Sequence, residues 1–311
     1  MNQGWRKVAK ILGILGEVDM GSNRLEAGLL LRESILINSL LFSAEAWSAV
    51  SDKQLARLEV VDTALLRQLT GGGHSKCSKA FYYLEFGTMM VRHIVMIRRL
   101  MYHHHILTRD NSEMIKKVYL KQKEIACKGD WIHLIRKDFS LIEEDINEDQ
   151  IVNTPKDVYK KWVKEKVKTA VFKEYLKLKE ESKKKLKDLH YEELAIQPYL
   201  TSNEISIEQK QLLFSLRSKC FSAKMNFKKM NKGNLGCRFH CDSEETQIHI
   251  FENCRPIKAR VSEPVKLNDI YGSLEDQIKA IQTLSKIDDV RKIMIEDILP
   301  GGLGARTHVN T

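Results

Sequence analysis

Four residues of the kinds that bind zinc lie within eighteen positions of this chain. They are Cys237, Cys241, His249 and Cys254, with the spacing Cys-x3-Cys-x7-His-x4-Cys. Three thiolates and one imidazole complete a tetrahedral ligand set, and a set without an open position is typical of a structural ion. Because so short a segment has little apolar core, we expect one Zn²⁺ to supply most of its folding free energy.

The sequence alone leaves two alternatives open at this cluster. His240 could replace one cysteine as a ligand, although its position next to Cys241 makes it awkward for both to bind one ion. The four residues could also be neighbours by chance, because the chain uses cysteine as an ordinary small apolar residue elsewhere, at Cys77, Cys127 and Cys220. Half of the six cysteines fall inside this one segment, however, which favours a zinc site.

The rest of the chain has the periodicity of α-helices. Apolar residues recur at intervals of three and four, and the 311 residues include only five prolines and sixteen glycines. Helices are expected over Leu29–Trp47, Ser51–Leu69, Ala80–Gly87, Val91–Leu107, Val158–His190 and Glu208–Lys219, and again after Pro264. Within them we expect Arg217 to be exposed and Ile293 to be buried. The predicted fold class is all-α, with long basic helices and few strands.

Changes in composition divide this helical pattern into segments. An acidic stretch is followed by Asn153-Thr154-Pro155, which supplies a turn and a helix start. We predict a helical region over 1–125, a basic helical connector over 126–205, a zinc-cluster region over 206–262, further helices over 263–300 and a disordered tail over 301–311.

The chain has a formal net charge of +10, which favours polyanionic partners. One face of the predicted helix from Val158 is rich in lysine. Like charges at that density repel each other unless an anion neutralises them, so we expect phosphate contacts at Lys160, Lys161, Lys164 and Lys168. On the helix from Val91, the side chains of Arg92, Arg98 and Arg99 are expected outside the core, where they either contact phosphate or form a solvated surface.

Basic and aromatic residues also flank the zinc cluster. We expect nucleic-acid contacts from Lys224, Lys228, Lys229 and Arg238. Phe239 and Phe251 lie beside predicted zinc ligands, where an exposed ring could stack on an unpaired base. The consecutive His103, His104 and His105 are not expected to share a metal ion, because successive side chains on a helix point about 100° apart.

The residues around the cluster resemble a known protein family. The cysteine and histidine spacing, the preceding segment LLFSLRSKCFSAKMNF and the segment SEETQIHIFENC are similar to the carboxy-terminal zinc knuckle of LINE-type (non-LTR) retrotransposon reverse transcriptases. The knuckle of retroviral nucleocapsid proteins has a shorter central spacing and is a poorer match. The resemblance implies a small CCHC zinc-knuckle module that holds RNA or single-stranded DNA.

A second stretch is similar to the same family. It consists of LLLRESILINSLLFSAEAWSAVSDKQLARLEVVDTALLRQLTG followed by KAFYYLEFG and IVMIRRLMYHHHIL, and it resembles the helical region after the palm, including the thumb. The resemblance covers most of residues 20–260 in the order found in the family. It implies a thumb-like helical bundle that grips a nucleic-acid duplex during target-primed reverse transcription.

Polymerase chemistry is not expected from these residues. In the resembled family, two divalent ions are held by an aromatic-x-Asp-Asp motif. Asp288-Asp289 follows Lys286-Ile287 instead and lies after the knuckle. The sequence also has no phosphate-binding loop and no nucleophile elbow, so we expect no catalytic activity from this chain alone.

Two functions remain open on this evidence. The first is a nucleic-acid-binding part of a retrotransposon reverse transcriptase, with retroelement RNA and target DNA as partners. The second is a zinc-stabilised helical module that binds protein and has no nucleic-acid role. MNQGWRKVAKILGILGEV lacks the features of a signal peptide, and charged residues interrupt Leu25–Trp47, so we expect an intracellular location in the cytoplasm and nucleus.

Overall fold

A computed structural model of the chain describes residues 2–17, 23–47, 50–71, 77–125, 127, 129–181, 186, 188–227 and 234–298. The α-helices are α1 (Asn2–Glu17), α2 (Arg24–Leu31), α3 (Asn38–Leu40), α4 (Asp52–Leu69), α5 (Lys79–Glu85), α6 (Val91–Leu107), α7 (Met114–Ile125), α8 (Trp131–Leu141), α9 (Glu148–Asn153), α10 (Lys156–Glu181), α11 (Pro198–Thr201), α12 (Ile207–Arg217), α13 (Arg255–Lys258) and α14 (Leu274–Ile298). Wider π-helical turns occupy Arg32–Ile37 and His249–Asn253, and 3-10 turns occupy Ala44–Ala46, Lys224–Phe227 and Leu267–Tyr271.

The predicted predominance of helix is confirmed, since the described residues contain no β-strand beyond two isolated bridge pairs. The bounds of α6 are those predicted from the sequence, whereas α10 ends at Glu181 rather than near His190. The tail predicted to be disordered, 301–311, lies outside the described residues. None of the helices described here combines the length and the apolar character that crossing a bilayer requires.

Contacts between residues divide the chain into two compact units. The first unit comprises Met1–Leu69, Ser78–Lys183 and Tyr191–Gln197, and the second comprises Thr70–Cys77, Lys184–His190 and Pro198–Thr311. The segments predicted from composition divide the chain differently. The reason is that α10, from the predicted connector 126–205, packs against α5 and α6 within the first unit.

Helix α10 illustrates how the first unit forms its core. Its buried side chains recur every four residues, at Tyr159, Val163, Val167, Val171 and Tyr175. This spacing places them on one face of the helix. The hydroxyl of Tyr175 accepts a 2.7 Å hydrogen bond from the backbone N–H of Met90, so the polar end of this buried ring has a partner.

A buried ion pair connects three elements of the first unit. The side chains of Arg32 and Asp62 are both 0% exposed, and Arg32 Nε and Nη2 donate to the two carboxylate oxygens of Asp62 at 2.6 and 2.7 Å. The guanidinium also donates to Thr88 Oγ1 at 2.7 Å and to the Met89 carbonyl at 2.9 Å. The hydroxyl of Tyr83 donates to Asp62 at 2.9 Å. Burial by itself lowers the pKa of Arg32, but the Asp62 charge raises it above its ordinary value, so the guanidinium stays charged.

Gly87 allows the chain to close over the end of α5. Its φ is +58°, and a Cβ at this position would lie 2.1 Å from the backbone carbonyl carbon of Ala195. A residue with a side chain meets both a strained backbone and a steric clash here. The close approach lets the Glu85 carbonyl accept a 2.8 Å hydrogen bond from the N–H of Gln197, so that Tyr191–Gln197 belongs to the first unit.

The three consecutive histidines of α6 turn to different neighbours. His103 Nε2 lies 3.1 Å from the hydroxyl of Tyr119, and burial lowers the pKa of His103 to about 4. His104 Nε2 lies 2.9 Å from the carbonyl oxygen of Thr154. His105 accepts a hydrogen bond from Arg109, so each ring has its own local role.

The second unit packs α12 against α14. A capping box starts α12, because Ser206 Oγ accepts the N–H of Gln209 while the Gln209 side chain accepts the N–H of Ser206. Two sequence predictions are wrong in this unit. Arg217 is buried rather than exposed, since it donates to the Ile270 carbonyl at 2.7 Å. Ile293 is 55% exposed, because the inner positions of that part of α14 are taken by Asp288, Arg291 and Met294.

We predict that Arg32→Met lowers the free energy of unfolding by about 3–5 kcal/mol, because it leaves the Asp62 carboxylate buried without its counter-ion. The measurement is urea denaturation followed by circular dichroism. Arg57→Met on α4 is the matched control. Arg57 is exposed and has no recorded partner in the described part of the chain, so its change should stay within about 0.5 kcal/mol.

The double variant Arg32→Met/Asp62→Leu removes both charges and should recover much of the lost stability. Equal unfolding midpoints for Arg32→Met and Arg57→Met would contradict the role given to the ion pair.

Candidate metal centre

A short hairpin positions the first two cysteines of the cluster. An antiparallel bridge joins Gly236 to Glu244, and the Cys237 N–H donates to the Ser243 carbonyl at 2.9 Å. At the tip, the N–H of His240 donates to the Cys237 carbonyl at 3.1 Å, and His240 adopts a φ of +61°. This tight turn brings Cys241 back towards Cys237.

The other two members of the cluster come from a short helical segment. Thr246 starts it, since its hydroxyl oxygen accepts the N–H of His249 at 2.9 Å and its carbonyl accepts the N–H of Ile250 at 3.0 Å. The π-helical turn His249–Asn253 follows and ends at Cys254, which in turn caps α13. One turn of π-helix separates the imidazole from the last thiol.

The four side chains converge on one point. One ligand atom each from Cys237, Cys241, His249 and Cys254 lies within 4.8 Å of all the others. The Sγ atom of Cys254 is 3.8 Å from that of Cys241 and 4.0 Å from that of Cys237. Two sulfurs that bind one tetrahedral zinc at about 2.3 Å each are separated by roughly 3.8 Å. The cluster could therefore hold a metal ion, and its geometry is compatible with structural zinc.

The two ring nitrogens of His249 have different surroundings. Its Nδ1 lies 2.9 Å from Ser243 Oγ, whereas its Nε2 is buried and has no hydrogen-bond partner among the described residues. A buried ring nitrogen without a partner is costly unless something coordinates it. A second hydrogen bond from the opposite nitrogen is the usual support of a metal-binding histidine. Ser243 thus supplies the orienting contact.

Burial shapes the protonation of the cluster. It raises the pKa of the Cys237 and Cys254 thiols, and at both residues the neighbouring thiols add to the effect. The same desolvation lowers the pKa of His249, so its imidazole is neutral and can bind a cation. Backbone N–H groups of Phe239 and Ile257 point at the sulfurs of Cys237 and Cys254 and favour their thiolate forms. Metal binding would release the thiol protons.

The exposed histidine that the sequence left as an alternative is not part of the cluster. His240 is exposed and forms the tip of the turn, and the converging set contains His249. The other three cysteines, Cys77, Cys127 and Cys220, lie outside the converging set.

Two cations expected to bind nucleic acid also form hydrogen bonds within the hairpin. Glu245 is 0% exposed, and Arg238 donates to its two carboxylate oxygens from Nε and Nη2 at 2.6 Å each. Lys224 donates from its backbone N–H to Glu245 and from Nζ to the Gly236 carbonyl at 2.9 Å. Lys228 and Lys229 lie outside the described residues.

Neither phenylalanine beside the cluster offers an exposed ring. Phe239 is 6% exposed and Phe251 is 2% exposed. Phe251 packs against Phe221 with ring centroids 5.1 Å apart, so it belongs to the core of the module. The expectation that one of these rings is available for stacking is wrong, because so small a module needs both for its own interior.

The arginines of α6 also have partners within the first unit. Arg92 pairs with Glu59 at 2.9 Å, and Arg98 donates to the Leu41 carbonyl at 2.6 Å and to Asn38 Oδ1 at 2.7 Å. Arg99 was expected outside the core and is buried. It donates to both carboxylate oxygens of Asp138, at 2.6 and 3.0 Å.

The lysines of α10 remain at the surface. Lys160, Lys161 and Lys164 are exposed, and the structure records no side-chain partner for them within the described residues. Lys168 is half-exposed, and its Nζ lies 3.1 Å from a carboxylate oxygen of the more exposed Glu193. Such an exposed pair contributes little to stability and leaves the lysine available.

Sequence reasoning found the four converging residues but not those that support them. Ser243 contacts the histidine ring, and Glu245 stabilises the hairpin through Arg238. Thr246 starts the helical segment. Their only sequence signal is a run of polar residues between the second cysteine and the histidine, which periodicity does not distinguish from a solvated loop.

Comparison with known proteins adds no relative for this chain. No protein-family model, no curated protein and no solved structure matches it. The metal centre therefore rests on the geometry of its own residues, and the resemblance to LINE-type reverse transcriptases stays a prediction from the sequence.

We predict that the purified chain contains one zinc ion and that Cys254→Ser removes it, because three remaining ligands leave an open and weaker site. Elemental analysis by mass spectrometry measures the metal content. The matched control is Cys127→Ser, since Cys127 is exposed and outside the cluster. Full-length protein that is metal-free and still protects all three cluster thiols from alkylation would contradict the assignment.

Ser243→Ala should weaken metal binding by about 10- to 100-fold, because it removes the hydrogen bond that orients the His249 ring. Competition with a chromophoric zinc chelator gives the dissociation constant. Ser140→Ala is the matched control, since Ser140 is exposed, lies outside the module and has no recorded side-chain partner among the described residues. Equal constants for the wild type and Ser243→Ala would exclude an orienting role.

Proposed function

We propose that this chain binds nucleic acid through its helical first unit, and that a structural Zn²⁺ stabilises the hairpin module of its second unit. The observation that carries the proposal is a set of three exposed lysines on α10, Lys160, Lys161 and Lys164, for which the described residues provide no side-chain partner. The zinc assignment rests on the converging donors, their sulfur separations and the uncompensated His249 Nε2. Together with the sequence resemblance, these features favour a part of a non-LTR retrotransposon reverse transcriptase.

The α10 lysines are held at the surface by the packing of the opposite face. The buried stripe that begins at Tyr159 and Val163 fixes the helix rotation, and Lys160, Lys161 and Lys164 consequently point to solvent. Three positive charges within five residues repel one another, and phosphate oxygens would relieve that repulsion while releasing counterions. Asp157 and Glu165 lie on the same exposed side, which reduces the net charge of the face but leaves it positive.

The zinc centre would act on the fold rather than on a substrate. Its four protein ligands leave no position for a reacting group. Asp288, which the sequence places in an Asp-Asp pair, is buried and pairs with Arg291 and Lys292 on its own helix. Those contacts favour a structural role for Asp288, in keeping with a chain that binds but does not polymerise.

A protein-interaction role is the second candidate, and one surface favours it. Met114, Val118 and Ile125 are exposed and recur on one side of α7 at helical spacing, with exposed fractions of 75%, 48% and 61%. An apolar stripe in that setting commonly marks a binding surface. If this is the main function, Val118→Ser/Ile125→Ser should abolish self-association or partner binding in sedimentation experiments, while nucleic acid should not bind.

We predict that Lys160→Gln/Lys161→Gln/Lys164→Gln weakens binding to a labelled RNA hairpin by more than ten-fold at low salt. It should also reduce the slope of log affinity against log salt by roughly 2 to 3, because three phosphate contacts are lost. Fluorescence anisotropy measures both quantities.

The control variant is Lys53→Gln/Lys117→Gln/Lys266→Gln. It removes the same charge from three exposed lysines that lie apart and have no recorded side-chain partner among the described residues. A similar loss in both variants would mean that only total charge matters. Absence of any binding by the wild type at low salt would refute the proposed function itself.

A further inference from the structure

The first unit contains a second basic feature, an open groove between α1 and the helical segment from the π-helical turn to α3. We call it the α1 groove. Its volume is about 890 Å³. One wall carries Arg6, Lys7 and Lys10, and the other carries Ser34, Asn38 and, at its end, Phe42.

All of the charged residues on the α1 wall are cations. Arg6, Lys7 and Lys10 follow one another within about one turn of helix, and none of the described residues that line the groove is acidic. Arg6 and Lys10 are exposed and Lys7 is half-buried, and no side-chain partner is recorded for any of the three within the described residues. Three unneutralised cations facing one groove favour an anionic occupant.

The opposite wall is polar and already ordered. Ser34 Oγ donates to the Leu30 carbonyl at 2.8 Å, and Asn38 Nδ2 donates to the Ser34 carbonyl at 3.2 Å. Arg98 also holds this wall in place, since it donates to Asn38 Oδ1 and to the carbonyl of Leu41. Hydroxyl and amide groups held in place can hydrogen-bond an occupant without being ordered by it.

Phe42 is the feature that specifies the occupant. It is 80% exposed, and the next residue, Ser43, turns the chain with a φ of +55°. Covering an exposed phenylalanine ring removes apolar surface from water and therefore gains free energy. An exposed aromatic ring beside a cationic wall is the combination that binds unpaired bases, because a base stacks on the ring while its phosphates meet the cations.

We propose that the α1 groove binds single-stranded nucleic acid, with Phe42 stacked on one base and Arg6, Lys7 and Lys10 against the phosphates. This inference rests on the proposed function and locates a contact that is separate from the lysines of α10. A duplex would not use Phe42, because its bases are already stacked and paired. An acidic peptide would use the cations but would gain little from the ring.

The test uses the full-length protein and labelled 12-nucleotide strands, oligo-U and oligo-dT, with a 12-base-pair duplex for comparison. Phe42→Ala should weaken binding of the single strands by about ten-fold and leave duplex binding unchanged. Phe42→Trp should retain the affinity, because it keeps a ring. Ile293→Ala is the matched control, since Ile293 is a large exposed apolar residue and lies outside the groove. Comparing oligo-U with oligo-dT identifies whether RNA or DNA is preferred.

A second variant tests the cationic wall. Arg6→Gln/Lys7→Gln/Lys10→Gln should lower the salt dependence of single-strand binding by about 2, the value expected for three phosphates on a single strand. A 2-aminopurine base in the strand should be quenched by the wild type and not by Phe42→Ala.

The outcomes separate this inference from the proposed function. If single strands bind but neither groove variant changes affinity, salt slope or quenching, the α1 groove is not the site, while the α10 proposal stands. If neither single strands nor duplex bind the wild type, both fail. If Phe42→Ala weakens duplex and single strand equally, stacking on an unpaired base is excluded.

Discussion

The buried pair of Arg32 and Asp62 is the interaction on which the first unit depends. Two charges have been taken out of water, and such a pair is tolerable only when its remaining hydrogen-bonding groups have partners. Thr88, Met89 and Tyr83 supply them. Because Arg32 opens the π-helical turn, the same contacts fix the direction of the helix that carries Ser34 and Asn38. One ion pair thus sets both the packing of α4 and the shape of the α1 groove.

The hairpin of the second unit is also stabilised by buried polar groups, which are arranged differently from those of the first unit. The hairpin and the short helical segment around Cys237 and Cys254 contribute a small set of buried apolar side chains, namely Leu235, Phe239, Ile250 and Phe251. A buried carboxylate, Glu245, holds the hairpin through Arg238, and the converging thiols provide a point of closure. Both units therefore add a buried polar arrangement to their apolar cores, an ion pair in the first and a set of converging metal-binding side chains in the second.

Much of the helical framework could be predicted from the sequence, and so could the four converging ligands. Periodicity located α6, and ligand spacing identified the cluster, because both signals depend only on near neighbours along the chain. The partners of the charged residues could not be predicted. In the sequence, Arg99 and Arg217 have the spacing of surface residues. In the fold, Arg99 contacts Asp138 and Arg217 contacts the Ile270 carbonyl, and these partners are distant along the chain. A clue was present at Asp62, a carboxylate within the apolar stripe of α4, and at Arg32, a cation at helical spacing from Leu29 and Leu36.

The close approach of Tyr191–Gln197 to the chain at Gly87 affects when the first unit can finish folding during translation. The end of α5 is completed by Tyr191–Gln197, where the Tyr191 hydroxyl donates to the buried Glu85 at 2.6 Å and the Gln197 N–H reaches the Glu85 carbonyl. Those donors are synthesised about a hundred residues after the acceptors, an interval of roughly 5–20 s on the ribosome. During translation the nascent first unit must keep this end open, and it can seal only when residue 197 has left the exit tunnel.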